Sequence, residues 1–348
     1  MRIEDIDKNF LPPSLPEGVE LTYFDVREAP FKVWGLIYEE NTFRRLPEAV
    51  AKATSGGVTF LGDHSAGGRA TFRTNSRYIA ISAKMHNVAR FAHFPTCGAS
   101  GFDLYEKTEF LDLFRPPYMV EEGFGGVVNL REARDRDLVL NFPLYTAVDA
   151  LYIGIEKGAA LESYDPYLDI PPIVYYGSSI TQGGCACRPG NSYQAKISRE
   201  LSVDHVNLGF SGSAKAELPM AEYIASLPMS VFVMDYDHNA PNVQHLIDTH
   251  ERLYRIVREK NPDLPIVFVT APNVYHRGTM LEPRRRVIMD NYTRLVASDK
   301  NLYFIDGASF FEGTDADYCT VDGCHPNDYG FYRMAMGMLP TLKRALKL

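Results

Sequence analysis

Apolar and polar side chains alternate in short runs through the first part of this chain, up to about Leu161, and then the rhythm changes. Residues 70–74, 78–83, 102–105 and 138–142 have the two-residue period of half-buried strands, and the run Val58-Thr59-Phe60-Leu61 reads as a further strand. The glycine pairs Gly56-Gly57, Gly67-Gly68 and Gly125-Gly126 punctuate these runs. Helical spacing is brief here, one or two turns at residues 47–53. The pattern predicts an all-β antiparallel sandwich or jelly roll over residues 1–165.

Residues 164–172 are proline-rich and strand-free, the composition of a domain junction. Beyond them, over residues 172–348, apolar strands at 173–176, 203–208, 230–236, 266–270 and 302–305 alternate with amphipathic helices. The helices fall at 192–201, 218–226, 242–260, 282–297 and 328–346. Such β-α units in series predict an α/β domain with an open, parallel five-stranded sheet and helices on both faces. Ligands bind such sheets where loops leave the carboxyl ends of the strands.

Those exits carry the candidate chemistry. The first strand runs into Gly177-Ser178-Ser179-Ile180-Thr181-Gln182-Gly183, where a glycine permits the tight turn that exposes a serine; the same residues also suit a plain helix cap. The second ends in Gly209-Phe210-Ser211-Gly212, where a glycine brings a backbone N–H close to a ligand oxygen or simply makes a turn. The third ends in Asp235-Tyr236-Asp237-His238-Asn239-Ala240-Pro241. The Asn239 amide can enter the same cleft, and an asparagine near a proline also starts helices. Ahead of the last helix, Asp322-Gly323-Cys324-His325 sets a carboxylate three residues before a histidine, which can hold one imidazole tautomer. Asp235 and His238 repeat that spacing, so at least one pair is a coincidence or does another job. Singly these features are ordinary. Together they supply a nucleophile, two oxyanion donors and a base with its orienting acid along one sheet edge.

Composition narrows the partners. The chain has 348 residues and a net charge of −8, which disfavours nucleic acid and anionic membrane surfaces. Its amino terminus is charged, and no run approaches the roughly 18 apolar residues of a membrane helix. Five cysteines do not read as a disulfide framework, so a cytoplasmic protein with reduced thiols is expected. Cys185-Ala186-Cys187 is too tight for the usual zinc pair and no second pair follows, so no metal is expected; a loop thiol near Ser179 is. Cys319 and Cys324 read as buried thiols, and Arg284-Arg285-Arg286 as a solvated face. A homo-oligomer is compatible with this composition.

At these residues the second half resembles the SGNH/GDSL-type hydrolases, from about Ile173 to Leu346. The resemblance implies a flavodoxin-like fold, with Ser179 as nucleophile, Gly212 and Asn239 as oxyanion donors beside the Ser179 N–H, and Asp322 and His325 as the Asp-x-x-His pair. Where the family usually has aspartate before the nucleophile, this chain has Ser178. The Ser-Ser form with Gln182-Gly183-Gly184 is similar to a bacterial subgroup whose amino-terminal β-domain is named for a Gly-x-Asp-Leu-Tyr motif. Here that motif reads Gly101-Phe102-Asp103-Leu104-Tyr105. The resemblance implies a serine esterase needing no cofactor, cutting a small-molecule or oligosaccharide ester of acetyl or another short acyl group. Ser178, Arg188 and His238 are the expected substrate contacts. A thioesterase- or lipase-like hydrolase and a catalytically silent glycan-binding protein are the alternatives.

Overall fold

The structure, a computed structural model, describes residues 6–7, 14–272, 281–313 and 316–348. In the first half two antiparallel sheets face one another. One runs in the order Leu21–Asp25, Ala147–Glu156, Tyr78–His86, Gly123–Asn129. The other runs Leu161–Glu162, Arg69–Thr74, Arg136–Asn141, Phe102–Glu106, Glu109–Phe114, with Lys32–Trp34 also paired to Arg69–Thr74. Alternate residues point inward: Leu151, Ile153 and Ile155 are buried while Tyr152 between them is exposed. They meet Phe72, Phe102, Leu104, Leu138 and Leu140 of the opposite sheet in one core.

Residues 58–61 are not a strand. They belong to the helix Gly56–Gly62, which follows the helix Glu48–Thr54. Ser55 makes the break: its N–H closes the first helix on the Ala51 carbonyl, and its Oγ accepts the Val58 N–H at 3.2 Å to cap the second. Val58 and Leu61, three apart, then share one buried face against Leu208, Phe210 and Met220. Burial on that face overrides the strand preference of valine, threonine and phenylalanine.

The second half holds the expected parallel sheet, in the order His205–Gly209, Ile173–Gly177, Val231–Asp235, Ile266–Val269, Leu302–Ile305. Its strands are apolar on both faces because helices cover both. Ile173, Tyr175, Val231 and Val233 join the core under the helices Tyr193–Leu201 and Asp328–Leu346. Val174, Tyr176, Phe232 and Met234 join the opposite core, under Leu218–Ser226, Val243–Lys260 and Glu282–Leu295. Helix and strand bounds lie within two residues of the sequence pattern.

Both of these cores recruit the first half. Ala66, Phe94, Ala99, Leu144 and Tyr145 enter one, and Leu46, Ala51, Val58 and Leu61 enter the other. Arg45 is buried between the halves, its guanidinium 4.5 Å from the centre of the Phe210 ring and donating to the carbonyls of Leu61, Asn207 and Gly209. Among the described residues no helix is long and apolar enough to cross a membrane. Among the described residues no disulfide joins the five cysteines.

Candidate active site

The strand Ile173–Gly177 is buried along its whole length. A Cβ at Gly177 would lie 2.0 Å from the Thr181 hydroxyl and 2.3 Å from the Asp235 carbonyl, so only glycine allows the chain to turn there. The turn opens directly into the short helix Ser179–Gln182. Ser178 is its N-cap, with Oγ accepting the Ile180 N–H at 3.1 Å, and Gly183 closes it in the left-handed region at φ 103°. Ser179, the first helical residue, has no intrahelical acceptor for its N–H.

The Ser179 Oγ lies 2.9 Å from His325 Nε2, and His325 Nδ1 lies 2.8 Å from Asp322 Oδ2. Asp322 Oδ1 also accepts the N–H groups of His325 at 2.8 Å and Cys324 at 3.0 Å. Burial pushes this carboxyl upward, but the hydrogen bonds outweigh it and hold it down at about 2. An ionised Asp322 favours the tautomer with the proton on Nδ1, which leaves Nε2 as an acceptor facing the Ser179 hydroxyl.

Two further loops converge on the same edge. A turn at residues 210–213, closed by the Ser213 N–H on the Phe210 carbonyl at 2.9 Å, sets Gly212 at φ 66° with open space where a Cβ would be. Asn239 ends the 3-10 turn Asp237–Asn239 and donates Nδ2 to the Phe210 carbonyl at 2.7 Å. That bond uses one amide hydrogen and leaves the second. Buried Gln182 ties the Ser179–Gln182 helix to two neighbouring segments: its Oε1 accepts the Ser211 N–H at 3.1 Å and its Nε2 donates to the Leu144 carbonyl at 3.1 Å.

Of the expected substrate contacts, His238 lies in the 3-10 turn beside the converging loops, partly buried. Ser178 is 2% exposed and caps the helix instead of meeting solvent. Arg188 turns to the first half, over the Phe110 ring at 3.9 Å and with Nε 3.6 Å from Asp103 Oδ2. The Asp-x-x-His repeat at Asp235 also resolves. Its Oδ2 accepts the hydroxyls of Thr181 and Tyr193, each at 3.0 Å, so it holds the Ser179–Gln182 helix to the next one. Burial, then the charge of Asp237, pushes Asp235 up to about 8.

The Gly-x-Asp-Leu-Tyr motif has a physical job. Asp103 is fully buried and accepts the Asn141 amide at 2.8 Å and the Gly190 N–H at 2.9 Å; burial raises it to about 6 against these bonds. Gly190 fits only because it lacks a Cβ, which would lie 2.5 Å from the Tyr105 ring. The motif thus grips the loop between the helices Ser179–Gln182 and Tyr193–Leu201. From the opposite side Asp328 accepts the Cys187 N–H at 2.8 Å and the Asn191 amide at 2.6 Å.

Sequence reasoning missed two side chains of the first half. The Tyr145 hydroxyl donates to the Ser179 carbonyl at 3.2 Å, and the His93 ring centre is 5.8 Å from that of His325. No spacing signals either, because each meets its partner only through the docking of the two halves. Among the described residues, His93, Cys185 and His325 form the cluster of metal-capable side chains.

The GDSL-like lipase/acylhydrolase family model matches residues 171–343, and the model for the GxDLY N-terminus of SGNH-hydrolase-type esterases matches residues 21–161. The chain belongs to this family, and it is an ester-hydrolysing enzyme of the SGNH type. A Bacteroides ovatus protein described as a GDSL-like lipase is 28% identical, with a TM-score of 0.86 over 94% of this chain and 98% of that one. The salicylyl-acyltransferase SsfX3 of a tetracycline biosynthetic pathway is 17% identical, with a TM-score of 0.77 over 93% of this chain and 97% of that one. A family two carbohydrate esterase from Cellvibrio japonicus is 11% identical, with a TM-score of 0.62 over 94% of this chain and 98% of that one, a likeness of fold. No curated protein matches the chain.

Proposed function

We propose that this enzyme removes acetyl or another short acyl group from a carbohydrate, with Ser179 as nucleophile, His325 as general base and Asp322 as its orienting acid. The observation that carries the reading is the continuous chain of hydrogen bonds from Ser179 Oγ through His325 to Asp322, at 2.9 and 2.8 Å. His325 takes the hydroxyl proton as Oγ attacks the ester carbonyl, and ionised Asp322 stabilises the imidazolium. The oxyanion sits between the N–H groups of Ser179 and Gly212 and the remaining amide hydrogen of Asn239. Each such donor is worth on the order of 3 kcal/mol in the transition state. His325 returns the proton to the leaving alcohol, then activates water against the acyl-enzyme. The carbohydrate part leans on the fold shared with the Cellvibrio japonicus esterase.

Turnover of p-nitrophenyl acetate by wild type and Ser179→Ala tests the chemistry, with a loss of at least about a thousandfold expected. Equal rates in the two proteins would remove Ser179 from the mechanism. Acetylated oligosaccharides compared with acyl-CoA and long-chain esters test the substrate class, and a preference for either of the latter overturns the carbohydrate reading.

A further inference from the structure

Cys185 follows the nucleophile helix by three residues and sits at φ 77°, a conformation strained for any residue with a Cβ. Packing holds it there. A Cβ on Gly98 of the first half would lie 1.9 Å from the Ala186 carbonyl oxygen, and the Cys187 N–H is fixed on Asp328 at 2.8 Å. The buried thiol thereby comes to the base. Its sulfur, one imidazole nitrogen of His325 and one of exposed His93 all lie within 4.8 Å of one another.

Two imidazoles and a thiolate form a borderline-soft donor set, the kind that selects zinc over magnesium or calcium. His325 Nδ1 is already engaged by the Asp322 carboxylate, the outer hydrogen bond that orients zinc-binding histidines. The nitrogen left for a metal is therefore Nε2, and the ion takes it in place of the Ser179 hydroxyl. Three protein donors with a fourth position open match a zinc ion that keeps one exchangeable ligand. Metal–donor bonds of about 2.0–2.3 Å place tetrahedral donors about 3.5 Å apart, so the three side chains close by about an ångström on binding.

We infer that His93, Cys185 and His325 form an inhibitory zinc site in which the metal occupies the nitrogen that otherwise accepts the Ser179 proton. The thiol proton leaves to solvent as the zinc–sulfur bond forms, and a chelator reverses the block. The inhibitory effect rests on the proposed role of His325 as base, whereas binding of the ion rests on the donor geometry alone.

The test is a zinc titration of p-nitrophenyl acetate turnover by metal-free wild type, Cys185→Ser and His93→Ala, with cobalt(II) absorption as a second readout. Zinc is expected to inhibit wild type reversibly, with EDTA restoring the rate. Cys185→Ser should keep its metal-free turnover, and both variants should need at least about tenfold more zinc than wild type, since even an outer-shell partner is worth 10–100-fold in affinity. Cobalt(II) should give wild type a thiolate-to-metal band that Cys185→Ser lacks. Equal zinc sensitivity in all three proteins overturns the site. So does an unaffected wild type at zinc about a hundredfold above a micromolar dissociation constant, or a folded wild type without the cobalt band. A wild type that turns over no ester defeats the proposed reaction, and the cobalt band then still decides the metal site.

Discussion

Asp322 gathers three hydrogen bonds, and their sum sets how the site responds to acid. A carboxyl held down at about 2 lends stability at every pH above the ordinary carboxylate value of about 3.9, and that contribution fades as pH falls through about 2. The melting-temperature gap between wild type and Asp322→Asn should therefore be present at neutral pH and close as pH approaches 2. At neutral pH the same substitution should cost kcat roughly ten-thousandfold, because the tautomer presented to Ser179 is wrong. The neighbouring serines separate in the opposite way. Ser178→Ala removes a helix cap worth about 1 kcal/mol and should keep turnover within an order of magnitude of wild type, measured beside Ser179→Ala. Loss of activity in Ser178→Ala alone would exchange their roles. The meeting of Ser179, His325 and Asp322 at one sheet edge was legible in the sequence because Gly177-Ser178-Ser179 and Asp322-x-x-His325 are local motifs. The contacts of Ser178 and Arg188 were not, because a cap bond to Ile180 and a ring contact with Phe110 depend on turns and neighbours that no spacing encodes.

At the scale of elements, the central strand Val231–Asp235 does more than extend the sheet. Its last side chain links Thr181 on the Ser179–Gln182 helix to Tyr193 on the next helix through one buried carboxyl oxygen. A carboxyl raised to about 8 stabilises fully below its ordinary value of about 3.9 and loses that stabilisation as pH rises through about 8. Asp235→Asn should therefore gain on wild type as pH rises between those values, by up to about 1.4 kcal/mol per pH unit. Melting curves across the range check this, and a pH-independent gap would show that Asp235 is ionised throughout. The parallel strands and their helices were readable because both faces are covered, which makes each strand a continuous apolar run and each helix a striped one. Residues 58–61 misled for the same physical reason in reverse. Three of their four side chains favour a strand by type, but Ser55 caps a helix, and Gly57 lies so near the Ser213 hydroxyl that a Cβ would come within 2.2 Å. The contact that settles the matter lies in a distant loop.

For the whole molecule, the docking of the halves is part of the site. Arg45 donates to three carbonyls, two of them on the strand that leads to the Gly212 loop, and burial pulls its guanidinium down to about 9. Arg45→Met keeps the stem and strands those carbonyls, at a cost of about 1–3 kcal/mol each where no water replaces the bond. A clearly lower melting temperature and a fall in kcat larger than any rise in KM are expected. An unchanged kcat would mean that the loop holds its geometry unaided.

The helix pair Glu48–Thr54 and Gly56–Gly62 has a further consequence, for the order of events at the ribosome. Its packing partners Leu208, Phe210 and Met220 are made some 150 residues later, and the strand Leu21–Asp25 waits for Ala147–Glu156. The first half therefore emerges with Val58, Leu61 and the Arg45 guanidinium still without their native surroundings. Its final folding step belongs to the moment the second half arrives. A nascent chain stalled before residue 200 should be cut by protease around residues 45–62, and one stalled with the whole sheet exposed should not.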